Sequence, residues 1–563
     1  MSHSRGSAIS VCAPRAKLYK GPFGRLFPKL PPWRPKKKTL DKDGKPILRD
    51  DQPVFVDVPN DELEEHFITF ANAAMTEQLK GDGTPEEPEA LANDADATRL
   101  DGDFGSASTP AGYTYFGQFV DHDVTFDPSP LGTRTTDPNG LDNFRTPRLD
   151  LDCVYGSGPS DQPYFFVGKS GKFHVATIAG TGLRDLPRNA EGRAIIGDMR
   201  NDENAIVAQV QLAFLLAHNN LVDRVVALKK AGNTDLGDPF TEARRALTWL
   251  YQWVVVNDFL RRVCVDKVID AALKKEKTPD GRTIWKKGLS EVYDWGETPF
   301  MPVEFAVAAY RFGHSMVRNS YQTNFAHNGL TRIPIFNNIK DDQDEVDMRG
   351  FGPNRKETAL QWDWFLKMRT SGGPFPQMAR AIDSSLANSL MFLPENDKSN
   401  HVENKLAARN LIRGVLLDLP SGTDVARLLG VNVNFKVKGD ENALWHFILR
   451  EAKAQSGDRL GNVGSIIVCA VFAGLLMGDD MSWVCMAPDW APDKEPLFAS
   501  GEDNKDGTNE GGDFDGSWDL SAIIRISGLP VDDVDLRNQT DGIYRDKDIV
   551  EAVLPEQSAS TAP

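Results

Sequence analysis

"ENAIVAQVQLAFLLAHNNLVDRVVALKKAG", Glu203 to Gly232, is the stretch that decides the fold class. Val207, Val210, Phe214, Ala217, Leu221 and Val225 recur at intervals of three and four, the spacing that aligns one face of an α-helix. Gly232 supplies a stop signal just past the last turn. Outward along the chain, "ARRALTWLYQWVVVNDFLRRVC" from Ala243, "PVEFAVAAYRFGHSMV" from Pro302 and "ALWHFILREAKAQ" from Ala443 repeat the period. Strand-like runs are short, with "YFFVG" and "FHVATI" the best candidates. The expected architecture is mainly α: a single large helical domain with long loops and little β. Loops rich in Gly, Pro and Asp fall at 80–112, at 127–160 and near the C-terminus, and long loops in a compact domain usually carry function.

The chain has 563 residues and a formal charge of −17. An acidic surface repels phosphates, so nucleic acid is not expected as a partner. Residues 1–49 hold 13 Lys/Arg against two Asp, which leaves the remainder at about −28. This divides the chain into a basic, Pro-rich arm over 1–50, expected to be solvated or loosely draped, and one domain over 51–563. The arm lacks the apolar centre of a secretory signal, which points to a cytoplasmic location or export by a non-classical route. The longest apolar run, "IIVCAVFAGLLMG" from Ile466, is too short for a bilayer and reads as a buried helix, so no transmembrane segment is expected. Five scattered cysteines imply neither a disulfide framework nor a CxxC metal site.

Four constellations carry possible chemistry. In "YTYFGQFVDHDVTFDPSP" (Tyr113–Pro130), Gln118 and His122 sit a turn apart, and Asp121 and Asp123 point about 200° apart, to opposite flanks of the histidine. A lone His on an apolar helix is more often a satisfied core residue; the flanking acids raise the functional reading. In "GDMRNDEN", Asp202 and Glu203 suit a helix N-terminus, whereas the cation Arg200 is disfavoured there unless something negative faces it. In "AAYRFGHSMV", Gly313 permits close approach beside His314; a planar cofactor under an imidazole and plain core packing both explain this. In "TPRLDLD", Thr146, Arg148, Asp150 and Asp152 alternate as in hard-cation sites, with Asp123 as a further carboxylate, though a solvated acidic loop is the blander reading. Tyr113, Tyr115, His218 and Trp253 read as packing.

Together "FGQFVDHDVTFDP", "LDLDCVYG", "GDMRNDEN…HNNLV", "YRFGHSMV" and "ARNLIRGVLLDLPSGTDVARLLG" resemble, in order, the animal-type haem peroxidases, the superfamily that includes mammalian peroxidases and cyclooxygenases. The resemblance implies a haem-dependent peroxidase that reduces H₂O₂ through a ferryl intermediate while oxidising an organic or halide donor. His122 would serve as distal base and acid, with an ordinary imidazole pKa of about 6.5 suiting both halves. Arg200 would stabilise developing negative charge, and Gln118 would order the distal water or halide. His314 would ligate the haem iron, Asn410 would accept its second ring N–H, and Arg413 would pair with a propionate. Haem b is the implied cofactor, ester-linked if Asp121 and Glu203 react as in the mammalian enzymes. Asp123, Thr146, Arg148 (through its carbonyl), Asp150 and Asp152 match a Ca²⁺ site that would clamp the His122 helix to a distant loop.

Departures are informative. Asn204 stands where a mammalian member has a haem-linking Met, and Asp152 replaces a common Ser. Neither the disulfides nor the signal peptide of the secreted enzymes is found, which suggests a microbial relative. H₂O₂ and a small-molecule electron donor are the implied partners; the donor and the oligomeric state stay open. A fatty-acid dioxygenase on the same fold is the nearest rival. Cyclooxygenase-like members use a Tyr three residues before the proximal His, whereas position 311 here is Arg and Tyr310 lies four before. On an α-helix that would place Tyr310 above His314 rather than rotated away from it. A peroxidase-like adhesion protein is a further alternative, disfavoured by the intact His122, Arg200 and His314.

Overall fold

The structure, a computed structural model, describes residues 21–75, 105–126, 142–296, 298–329, 331–336, 346–368, 376–391, 393, 402, 404–498 and 518–540. Helices dominate, and strands of two to six residues pair only in twos and threes, so the mainly α expectation holds. The helices needed below are α1 (Leu63–Ala74), α2 (Gly112–Val124), α3 (Ala205–Lys230), α4 (Pro239–Val254), α5 (Leu406–Leu416), α6 (Leu444–Ala454), α7 (Asn462–Met477) and α8 (Leu520–Ser527).

The axis of the molecule is α3. Its N-cap Asn204 accepts through Oδ1 from the amides of Ile206 and Val207, at 3.1 and 2.9 Å, replacing partners that a first turn lacks. Lys229 and Lys230 in the last turn suit its negative end. The helix is less amphipathic than its period implies. Ala205 to His218 are buried on every side, because α2, α4 and α8 all pack against it. Each fully buried Leu or Phe in such a position contributes about 1.5–3 kcal/mol by leaving water. By length and composition α3 could cross a membrane, yet 94% of its most apolar window is buried in protein. The apolar run from Ile466 lies in α7, which is buried as expected.

Two expected helices are irregular, and both irregularities border the site. α4 runs into a π turn at Val255–Phe259 and then a short helix, Leu260–Val263. The segment from Pro302 is not an α-helix: a π turn, Glu304–Ala308, gives way to a 3₁₀ helix, Ala309–Met316. The buried carboxylate of Glu304 accepts from the amides of Leu26 and Phe27 at 2.9 and 3.2 Å, so another segment pins the start of this one. Periodicity cannot register such a tether.

Those amides belong to the expected arm. Where it is described, the arm is anchored: Phe23, Leu26 and Phe27 are buried, and Gly21–Gly24 pairs with Met301–Pro302 and Asp142–Asn143. Residues 1–20 lie outside the described residues, as do most of the loops expected at 80–112 and near the C-terminus and the stretch 127–141. Of the expected strands, "YFFVG" starts within a 3₁₀ turn begun by Pro163, its Phe166 meets Phe173 of "FHVATI" in a single antiparallel bridge, and Ala176–Thr177 pairs with Arg184–Asp185. The four described cysteines are free.

Candidate active site

α2, the turn before α3, the 3₁₀ helix and α5 enclose a cavity of about 590 Å³, within the range of small-molecule and cofactor sites. Gln118, Asp121, His122, Arg200, Glu203, His314 and Arg413 all line it. The two imidazoles, 192 positions apart, thus face one space. Phe23, Phe259, Phe312, Leu390, Leu406 and Leu417 supply apolar wall. A Cβ built at Gly313 would meet nothing within 4 Å, so the glycine leaves room beside His314.

His122 is 5% exposed, and its Nδ1–H donates to Asn201 Oδ1 at 2.7 Å. The Asn201 amide is oriented in turn: its Nδ2 donates to Gln211 Oε1 at 2.8 Å, and both residues are wholly buried. This fixes the tautomer, leaving the Nε2 lone pair unprotonated on the cavity side. The ordinary imidazole pKa expected from sequence does not hold. Burial and the neighbouring Arg200 charge lower it to about 3, so the ring is neutral at pH 7. Asn201 and Gln211 were missed by sequence reading; only the spacing of polar residues around Arg200 and along a buried helix could have flagged them.

Arg200 has the negative neighbour that its position demands. Its Nε and Nη2 donate to Asp198 at 3.1 and 2.8 Å, and Nη2 also donates to the carbonyls of His122 and Thr125 at 3.0 and 2.6 Å. Burial works against Asp198, yet the Arg200 and Arg145 guanidiniums hold its carboxyl well below the usual range. Arg200 is therefore satisfied structurally while still lining the cavity. Gln118 bridges the other wall, donating to Glu203 and accepting from Asn204 Nδ2 at 3.2 Å. Asp121 faces the cavity with its pKa raised by burial, against the pull of Arg200 and Arg311.

On the opposite wall, the Asn410 amide lies 2.9 Å from His314 Nδ1 and accepts from Arg311 Nη1 at 3.2 Å through Oδ1. Burial and the charges of Arg311, Arg409 and Arg413 lower the His314 pKa to about 3, leaving the neutral imidazole that metal ligation requires. In this arrangement Asn410 donates to Nδ1. For Nε2 to hold a metal, the amide must turn so that Oδ1 accepts from Nδ1–H, and amide orientation is readily exchanged. Arg311 would then need another acceptor. Arg409, one turn before Arg413 on α5, also lines the cavity and was missed. The 3₁₀ geometry corrects the rotation argument as well. At three residues per turn, Arg311 eclipses His314 and Tyr310 lies about 120° away.

The acidic loop lies on the far flank of α2. Asp123 is fully buried and accepts from the amides of Leu151 and Cys153, both at 3.2 Å, which ties α2 to that loop directly. Asp150 accepts from Thr146 Oγ1 at 2.9 Å. Burial and the charge of Asp152 push Asp123 up to about 7, and Asp150 is raised well above normal by burial and by Asp152. Yet among the described residues no three His, Cys, Asp or Glu converge closely enough to hold a metal. Arg145 lies among these acids: its Nη1 donates to Asp152 Oδ2 at 3.2 Å and its Nε to Asp198 at 3.0 Å. The guanidinium of Arg148 lies 3.8 Å from Asp479.

A profile of the animal haem peroxidases matches residues 132–433, a range that includes Arg200, His314, Asn410 and Arg413 but begins after His122. Chorion peroxidase of Drosophila melanogaster is 26% identical over 292 residues, covering 50% of this chain and 33% of its own. Heme peroxidase 2 of Caenorhabditis elegans is 24% identical over 259 residues, covering 36% and 34%. The chain thus spans about a third of the length of the curated relatives it matches. In three dimensions it is similar to peroxidase A of Dictyostelium discoideum, with a TM-score of 0.54 and 14% identity, over 94% of this chain and 95% of that one; this likeness speaks to fold alone. Over more than half its length the sequence fits one family profile, and the chain belongs to the animal haem peroxidase family.

Proposed function

We propose that the chain is a haem-dependent peroxidase that reduces H₂O₂ at the expense of a small-molecule electron donor. The observation that carries this reading is a pair of neutral imidazoles, the buried His122 and the half-buried His314, lining one cavity of about 590 Å³. The residues fit a haem. Apolar walls suit a macrocycle, the open space at Gly313 leaves room at its face, and Arg311, Arg409 and Arg413 suit its two carboxylates. When bound, haem would supply the redox chemistry, exchanging two electrons with peroxide and then with donors.

The chain's own residues would manage protons and charge. His122 Nε2, held as an acceptor by Asn201, takes a proton from peroxide and returns it to the departing oxygen, a step worth about 10²–10⁴ in rate. Its depressed basicity favours the return. Arg200, fixed by Asp198, presents a permanent positive charge beside that oxygen. His314 would hold the metal, with a turned Asn410 amide accepting from Nδ1–H. Asp121 and Glu203 place carboxylates on the cavity wall, where ester links to haem would form. Calcium, bound by Asp123, Thr146, the Arg148 carbonyl, Asp150 and Asp152, would relieve the repulsion among these three crowded carboxyls.

Mixing the haem-loaded protein with H₂O₂ in a stopped-flow spectrophotometer tests the reading. The haem absorbance should shift rapidly and return on adding iodide or a phenol; a spectrum unmoved by peroxide would refute it. One observation favours fatty-acid dioxygenation as a second reading. Tyr310 lines the cavity, and its buried hydroxyl has no hydrogen-bond partner among the described residues. Rapid oxygen uptake with linoleate and no peroxide would favour that reading.

A further inference from the structure

A hydrogen-bonded chain leaves the cavity beside α2 and reaches the surface. Tyr113 is 2% exposed and lines the cavity, and its hydroxyl donates to Asp258 Oδ2 at 2.6 Å. Asp258 Oδ1 accepts from Arg262 Nε, also at 2.6 Å, and the Arg262 side chain is 29% exposed. The Arg262 guanidinium lies 4.4 Å from the centre of the Tyr113 ring. A third donor, the amide of Leu520 at the start of α8, holds Asp258 Oδ2 at 3.0 Å. Asp258 sits in the π turn Val255–Phe259, and such turns occur often at functional sites.

We propose that Tyr113 relays single electrons between the cavity and the surface at Arg262, with Asp258 as the base for its phenolic proton, so that reductants too bulky for the cavity are oxidised from outside. The inference rests on the peroxidase reading above. A cation over the ring opposes removing an electron alone, because it destabilises a positively charged ring. The electron therefore leaves only as the proton moves, and the Asp258 carboxylate is in contact to receive it. Burial raises the Asp258 pKa, which readies the group to take a proton, while pairing with Arg262 and the α8 amide opposes that rise. In the outward step Tyr113 gives one electron to haem oxidised by peroxide and its proton to Asp258; the phenolic O–H bond breaks and a carboxyl O–H bond forms. The bulky reductant then returns one electron to the phenoxyl, and Asp258 returns the proton. Two passages supply the two electrons that turn one H₂O₂, with two protons, into two waters. A merely structural tie would account for the hydrogen bonds, but would not need the ring on the cavity wall and the cation at the surface.

The test uses the full-length, haem-loaded chain. Peroxide is added with a nitroso spin trap, peptides are mapped by mass spectrometry, and turnover is compared with ferrocytochrome c and with iodide. The expected result is a trap adduct on Tyr113, lost in Tyr113→Phe, and a fall of about tenfold in the cytochrome-to-iodide turnover ratio of that variant. A wild-type haem spectrum that responds to peroxide, with no adduct at Tyr113 or an unchanged ratio in Tyr113→Phe, overturns the relay alone. A spectrum indifferent to peroxide overturns the peroxidase reading and the relay with it. Adduct mapping on the wild type decides the matter even if the variant fails to fold.

Discussion

Asp121 and Asp123 are two residues apart on α2, yet they enter opposite electrostatic worlds. On the Asp121 side, Arg200, Arg311, Arg409 and Arg413 surround the cavity, and the charge they supply helps to hold both histidines neutral. On the Asp123 side, Asp150 and Asp152 crowd the buried Asp123, and the carboxyls there resist ionisation. One side calls for anionic groups and the other for a cation. Asp198 joins them, accepting from Arg200 of the cavity and Arg145 of the acidic loop on one carboxylate. The lesson is that a single helical turn can serve two sites when its period sends neighbouring acids to different flanks.

The sharpest way to break this contrast is to remove the proton carrier from the cavity side. His122→Ala should slow the peroxide step by about 10²–10⁴ while haem remains bound; stopped-flow absorbance reads it, and a wild-type rate would remove His122 from the mechanism. Asn201→Ala should do less. It leaves the His122 Nδ1–H without its acceptor, at a cost of about 1–3 kcal/mol. A fall of about 10- to 100-fold in the same rate is expected, with partial recovery in Asn201→Asp; no change would show that the tautomer needs no support.

These predictions also mark what the sequence could tell. The residue types of the cavity were legible because Gln118, His122, Arg200, His314, Asn410 and Arg413 stand in ordered motifs. Their settings were not. The π turn that leads into the 3₁₀ helix of His314 starts at Glu304, which is held by amides near residue 26, a contact across 278 positions that no local period encodes. Asn201, Gln211 and Arg145 carry no motif of their own in the sequence. Only folding shows that the first two orient an imidazole and that the third competes for the acids of the calcium motif. The arm was read from its charge, while its three buried apolar residues did the anchoring.

The acidic flank gives the smallest expected effect. Calcium at about 100 times its dissociation constant should stabilise the fold by about 2.7 kcal/mol, or roughly 2–3 °C in Tm for a chain this size. Differential scanning calorimetry with CaCl₂ and with EDTA measures it, and Asp123→Asn should erase the increment. Equal melting temperatures in the wild type would mean that Arg145 already supplies all the positive charge this pocket takes.

If one haem is held between His122 and His314, titrating haem into the apo-protein will count it. Absorbance in the Soret region should saturate at one haem per wild-type chain, and His314→Ala, with an unchanged far-ultraviolet circular dichroism spectrum, should lose that tight one-to-one endpoint. If the variant bound haem with the stoichiometry, affinity and spectrum of the wild type, His314 would not be the ligand and the account would be contradicted.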